Sequence, residues 1–229
     1  MLKKDLREKI FVVLLFILFG LVTLQIPFSV VIGSGSKFTL FDFFAPSTGA
    51  FLGTLPGIIS VFIMQLINFL IHGKSAFDTA SVIRLFPTLF AVIYFSKKRS
   101  FNLLIPILCI IAFNLHPIGK ASWQFSLFWL IPIAAHFFRK ILFIRSLGAT
   151  FTAHAVGGAL WIWAFGLTPQ IWLALIPQVI MERTLFATGI SVFYIVANNL
   201  LFFLSKNKLF PQSLRLKQGY LFKLRKSPN

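Results

Sequence analysis

Residues 171–204 read IWLALIPQVIMERTLFATGISVFYIVANNLLFFL, an apolar stretch of 34 residues whose only charges, Glu182 and Arg183, stand side by side. As one helix it would measure about 51 Å, against a hydrocarbon core of about 30 Å. Whether it crosses a membrane once or twice decides the side on which the basic residues 205–229 lie.

The rest of the chain settles its class. Hydrophobic residues make up 58% of the 229 positions and only 12% are charged, with 30 Phe. Soluble domains carry roughly a quarter charged residues. Apolar runs separated by short polar breaks predict an all-α polytopic membrane protein, a compact bundle of six to eight transmembrane helices forming one domain over 1–229. The expected segments are 10–31, 38–53, 56–71, 79–96, 101–114, 123–138, 147–165 and the long last stretch.

The placement of the cations orients these segments. With the amino terminus inside, seventeen of the 22 Lys and Arg fall on the inner side: around Lys3–Lys9, Lys97–Arg99, Arg139–Arg145 and in the tail from Lys206 to Lys226. The outer loops hold only Lys37, Lys74 and Lys120. Positive residues stay cytoplasmic, so both termini are expected inside and the last stretch crosses once. Thr184–Leu204 then forms the span, and 170–181, interrupted by Pro177, is expected as an interfacial or re-entrant piece on the outer side. The charge of +17 thus reports topology and attraction to membrane lipids, with the 205–229 tail as a cytoplasmic interfacial segment, and no nucleic acid is expected.

With that orientation Glu182 and Arg183 sit just beneath the outer surface. Arg84 enters from the same side, as do Asn68, Trp123, Gln124 and Trp161. Ionisable groups inside spans usually face a bundle interior or a watery cavity. Together they predict an outward polar cavity with aromatic walls, in which Glu182 pairs with Arg84 or acts with Arg183 on a ligand. His154 lies deeper, as a ligand group, a proton carrier or a hydrogen bond to a neighbouring helix.

Other chemistry finds little to work with. The four histidines lack metal-ligand spacing and Cys109 stands alone, so neither a metal site nor a cofactor is expected. No phosphate-binding Gly-Lys motif and no GxSxG are present; the chain is not expected to hydrolyse ATP or to be an enzyme. Small residues recur every four positions at Ala45, Gly49, Gly53 and Gly57, with Pro56 expected to end the first of these helices, and again at Ala149, Ala153 and Gly157. Such stripes serve close helix packing or docking of a partner subunit.

The stretch FTLFDFFAPSTGAFLGTLPGIISVFIMQLINFL, Phe38–Leu70, follows a helix ending in LQIPF. With Leu40, Asp42, Gly49, Gly53, Pro56 and Gly57 in place, it resembles the substrate-binding S components of energy-coupling factor (ECF) transporters. HAVGGALW and LIPQVIMERTLFATG look like their late helices. The resemblance implies capture of a vitamin-like small molecule at the outer face of the plasma membrane, with a transmembrane T subunit and a cytoplasmic ATPase pair as partners. It departs from the family in expecting eight crossings where six are usual, and in carrying its Ala/Gly docking stripe at 149–157 and not on the first helix. Two alternatives stay open: a stand-alone secondary transporter with Glu182 or His154 carrying the coupling proton, and an intramembrane enzyme acting on a lipid-linked substrate.

Overall fold

The structure, a computed structural model, describes residues 2–30, 37–72, 78–211 and 214–222, except for the side chains of 2–5, 28–30 and 37. Most of the turn expected at 32–37, the loop with Lys74 and the tail end with Lys226 lie outside the described residues.

Twelve α-helices are present among the described residues. Helix α1 (Leu2–Leu24) is followed by a short antiparallel ribbon, β1 (Pro27–Val30) on β2 (Lys37–Thr39), with an irregularity between Pro27 and Ser29. Then come α2 (Phe41–Leu52), α3 (Thr54–Ile71), α4 (Thr79–Arg84), α5 (Pro87–Ser96), α6 (Phe101–Leu115), α7 (Pro117–Ala121) and α8 (Trp123–Ser126). A 3-10 turn at Leu127–Leu130 leads into α9 (Ile131–Phe137), α10 (Leu142–Ala164), α11 (Pro169–Ala174) and α12 (Ile176–Lys206). By length and composition three stretches among the described residues suffice to cross a membrane: Thr54–Ile71, Thr79–Ser96 and Ile176–Lys206.

Several boundaries differ from expectation. The first helix stops at Leu24 and not near Val31, because the chain turns at Gln25–Ile26 and Pro27 opens a strand. Segment 79–96 is two helices, the chain turning at Leu85–Phe86 before Pro87 starts the second. Segment 123–138 is broken by the 3-10 turn before Pro132. The expected re-entrant piece 170–181 does not form. Pro177 lies in the first turn of α12, where a missing N–H breaks no intrahelical bond and the fixed φ suits the helix. Helix α12 therefore runs unbroken for 31 residues, and only 169–174 is separate.

Between α2 and α3 the break falls at Gly53 and not at Pro56. Gly53 has φ +104°, a conformation that a Cβ disfavours, and the Arg215 guanidinium packs against it. Two glycines then let the helices meet. A side chain at Gly57 would collide with the Gly49 backbone, and one at Gly49 with Val92 and Ser96 of α5.

The interior admits small hydroxyl side chains while the exterior is strongly apolar. Ser47, Thr48, Ser60 and Thr152 are buried, each hydroxyl bonded to a carbonyl three or four residues earlier in its own helix. Leu18, Leu55, Leu108 and Leu200 lie exposed on the outside. An apolar exterior on this scale suits a lipid solvent. Two apolar cores fill the interior, one around Phe44, Phe51, Tyr94 and Tyr194 and one around Phe113, Phe125, Trp129 and Trp172. Cys109 is a buried free thiol in the second.

The carboxy-terminal segment is not simply a solvated or lipid-facing tail. Asn198 donates to the Lys217 carbonyl and accepts from the Lys217 N–H, at 3.0 and 2.8 Å. Asn199 does the same with the Tyr220 carbonyl and the Phe222 N–H, at 2.8 and 2.7 Å. Residues 214–222 are thereby strapped along α12, and the Arg215 N–H reaches the Phe51 carbonyl at 3.0 Å.

Candidate functional site

At the opposite end from that strap, the helix termini enclose a cavity of about 440 Å³. Helices α3 and α10 deliver their carboxy-terminal halves to it; α2 delivers its first turn, α12 its first two turns and α4 its last, and β2 contributes Phe38 and Thr39. Pockets of this size suit small-molecule ligands.

Glu182 and Arg183 lie in the second turn of α12, both nearly buried, and are joined to each other at 3.2 Å. The second Glu182 oxygen accepts from the Gln178 amide at 2.6 Å, one helical turn earlier. The Arg183 guanidinium lies over the rings of Phe38 and Phe186 at 5.0 and 4.4 Å, and its Nε is buried without an acceptor among the described residues. The structure joins Glu182 to Arg183 within the chain, where the expectation was a pair with Arg84 or the joint binding of a ligand by Glu182 and Arg183.

Arg84, at the end of α4, lines the cavity as well. Asp42, in the first turn of α2, lies in the field of both Arg84 and Arg183, and its carboxylate accepts the Thr39 N–H at 3.0 Å. Asp42 thus ties β2 to the first turn of α2, with the charges of Arg84 and Arg183 nearby. Sequence reasoning missed Asp42 as a site residue. Its rarity among five acids was the available signal, the same one that singled out Glu182.

Asn68 lines the cavity, where its Oδ1 accepts from Gln25 at 2.9 Å, fastening the end of α1 to α3. Gln65, one turn deeper, donates to the Leu85 carbonyl at 3.0 Å and so holds the turn that presents Arg84. Trp161 is in the wall. His154 is too, and its Nδ1 accepts the indole N–H of the fully buried Trp129 at 3.1 Å. Of the three roles open to His154, the helix-to-helix hydrogen bond is therefore made, and Nε2 is left carrying the ring proton.

Trp172, on α11, is a wall residue that falls in the stretch 170–181 expected as an interfacial or re-entrant piece. It is 3% exposed, wedged edge-on between Phe113 and Phe125 at 5.1 and 4.8 Å. Its indole N–H is buried and finds no acceptor among the described residues.

Trp123 and Gln124 are not brought to this site. Helix α8 is a single turn that turns Phe125 and Ser126 inward and leaves Trp123 and Gln124 exposed. The stripe expected as a docking face is used within the bundle. Ala149 is fully buried, Ala153 and Gly157 line the cavity, and a side chain at Gly157 would meet Pro87 of α5. No set of three or more potential metal ligands exists among the described residues.

Comparison with protein-family models, with curated proteins and with solved structures finds no match to this chain.

Proposed function

We propose that the chain is the substrate-capturing membrane subunit of an ECF-type uptake transporter, taking a vitamin-like small molecule into the cavity described above. The cavity carries this reading: a 440 Å³ space at one end of an apolar-surfaced helical bundle, lined by both charge signs and by aromatic rings. The distribution of Lys and Arg supports an outward-facing cavity, with the chain crossing the plasma membrane six to eight times and both termini in the cytoplasm. The resemblance of Phe38–Leu70 to S components supplies the remaining elements. Arg84, Glu182, Arg183, Asn68, His154 and Trp161 form the binding wall, and Asp42 and Trp172 join them. A T subunit and an ATPase pair supply the energy, because no phosphate-binding Gly-Lys motif is present in this sequence. The T subunit docks on an exposed helix face, since Ala149, Ala153 and Gly157 are packed inside.

Mass spectrometry of small molecules released from the detergent-purified protein tests the reading. Wild type is expected to release one vitamin-sized compound that Glu182→Gln does not hold. Equal release from both proteins would remove Glu182 from the site, and release of nothing from wild type would count against substrate capture itself.

A further inference from the structure

At the strap's end of the bundle, the Phe95 carbonyl near the end of α5 accepts from two guanidiniums, Arg145 Nε at 2.7 Å and Arg139 Nη2 at 3.3 Å. The Arg145 guanidinium lies over the Phe95 ring at 3.8 Å, and that of Arg139 over Tyr94 at 4.7 Å. Arg145 also stands 5.3 Å from the ring of Tyr194, which meets Tyr220 of the strap. One neutral oxygen thus holds two like charges and joins the chain after α5 to the connection between α9 and α10. These two turns also carry Lys97, Lys98, Arg99 and Lys140, all exposed. None of the six cations forms an ion pair among the described residues. The chain's five acids serve other places: Asp42 and Glu182 line the cavity, Asp78 caps α4, and Asp5 and Glu8 lie on α1, which packs against α2 and α3.

Apolar side chains begin where the cations end. Phe101 stands two residues after Arg99, Phe137 and Phe138 precede Arg139, and Ile141 follows Lys140; each is at least half exposed. From Phe101 the exposed residues of α6 continue through Leu104, Leu108, Ile111 and Leu115, while Asn102, Ile105, Cys109 and Phe113 are buried. Spacings of three and four residues place the exposed set on one helix face. From Phe101 to Ile111 this face measures about 15 Å, one leaflet of a hydrocarbon core about 30 Å thick. A cluster of unpaired cations at the head of a leaflet-long apolar track has the shape and chemistry of a phospholipid. Phosphate oxygens accept from guanidinium and ammonium groups, and acyl chains cover the exposed side chains.

We infer that Lys97, Lys98, Arg99 and Lys140 bind the headgroup of an anionic phospholipid whose acyl chains lie along α6. Arg139 and Arg145 stay on the Phe95 carbonyl and add charge that no acid offsets. The site is separate from the cavity and rests only on the chain spanning a membrane.

The test strips the full-length protein of lipid in a neutral detergent and offers it equimolar phosphatidylglycerol and phosphatidylcholine with identical acyl chains. Native mass spectrometry counts the lipids bound, and wild type is expected to prefer phosphatidylglycerol. That preference should fall about tenfold in Lys98→Gln/Arg99→Gln/Lys140→Gln, and less than about twofold in the charge-matched Lys206→Gln/Lys208→Gln/Lys217→Gln, whose lysines are equally exposed. An equal fall in both would mean diffuse attraction and overturn the site. Equal binding of the two lipids by wild type would also overturn it, leaving the cations to an acidic protein partner. Displacement of phosphatidylglycerol by excess inorganic phosphate would make the free anion the ligand and overturn the lipid. Wild type alone supplies a second arm: phosphatidylglycerol with a photoreactive group in its acyl chain should label residues 101–111. Labelling confined to other helices would overturn the inference even where a variant fails to fold.

Discussion

Glu182 and Arg183 show how far a single pair can be read from sequence. Two charges in an apolar stretch must be partnered or solvated, and the structure pairs them with each other at the cavity wall. Removing one partner leaves the other buried. Glu182→Gln is therefore expected to destabilise the protein by about 3 kcal/mol, because Arg183 keeps its charge and loses its carboxylate. Thermal unfolding in detergent measures this, with exposed Lys120→Gln as the comparison, expected within about 0.5 kcal/mol of wild type. An equal effect of the two substitutions would mean that the Glu182–Arg183 contact contributes no stability. Trp172 and Asp42 escaped the sequence reading for a shared reason: a tryptophan near a helix end and an acid at a helix start each have an ordinary explanation. Only the absence of an acceptor for one among the described residues, and the charges of two arginines near the other, mark them out.

Among the elements, prolines mark starts more often than breaks. Pro87, Pro117, Pro132, Pro169 and Pro177 all occupy the first turn of a helix. A kink was expected at Pro177 from its position inside an apolar stretch, yet the chain upstream of it already turns at Leu175. Pro177→Ala should then change stability by less than about 1 kcal/mol, as expected for the first turn of a helix. Gly57→Val should be severe, because its Cβ would meet the Gly49 backbone, which has no rotamer to move aside. Parallel thermal unfolding of the two variants separates these readings; a large loss in Pro177→Ala with a silent Gly57→Val would reverse both. The misplacement of Trp123 and Gln124 belongs to this scale too. A four-residue helix has no periodicity from which to read its buried face.

Across the whole molecule, the cavity and the strap occupy opposite ends of the bundle. The strap converts a basic tail into a structural part: Asn198, fully buried, and Asn199 each hold the 214–222 backbone by a donor and an acceptor. Asn198→Ala removes two of these bonds. It should loosen the segment, with an expected cost of about 1–3 kcal/mol for the unpaired backbone groups. Limited trypsin digestion in detergent should then cleave after Arg215 and Lys217 markedly faster than in wild type. Unchanged cleavage would mean that Asn199 and the packing of Leu214, Leu216 and Tyr220 on the core hold the strap without Asn198.

Composition and the length of its apolar runs determined that this chain is helical and apolar-surfaced, because runs this long suit helices and 58% hydrophobic residues with so few charges leave much of the surface apolar. The rarity of charge also determined which residues to watch: Arg84, Glu182 and Arg183, together with His154 and Asn68, all reach one cavity. Tertiary structure decided what each of them does there. Partner choice depends on which helix ends converge, and that rests on long-range contacts: a glycine pair joining α2 to α3, a Gln25–Asn68 bond between α1 and α3, and a tail folded back on α12. These contacts bring together residues distant in the chain. Local pattern records a residue's own cost of burial; the residue that offsets that cost is set by the packing.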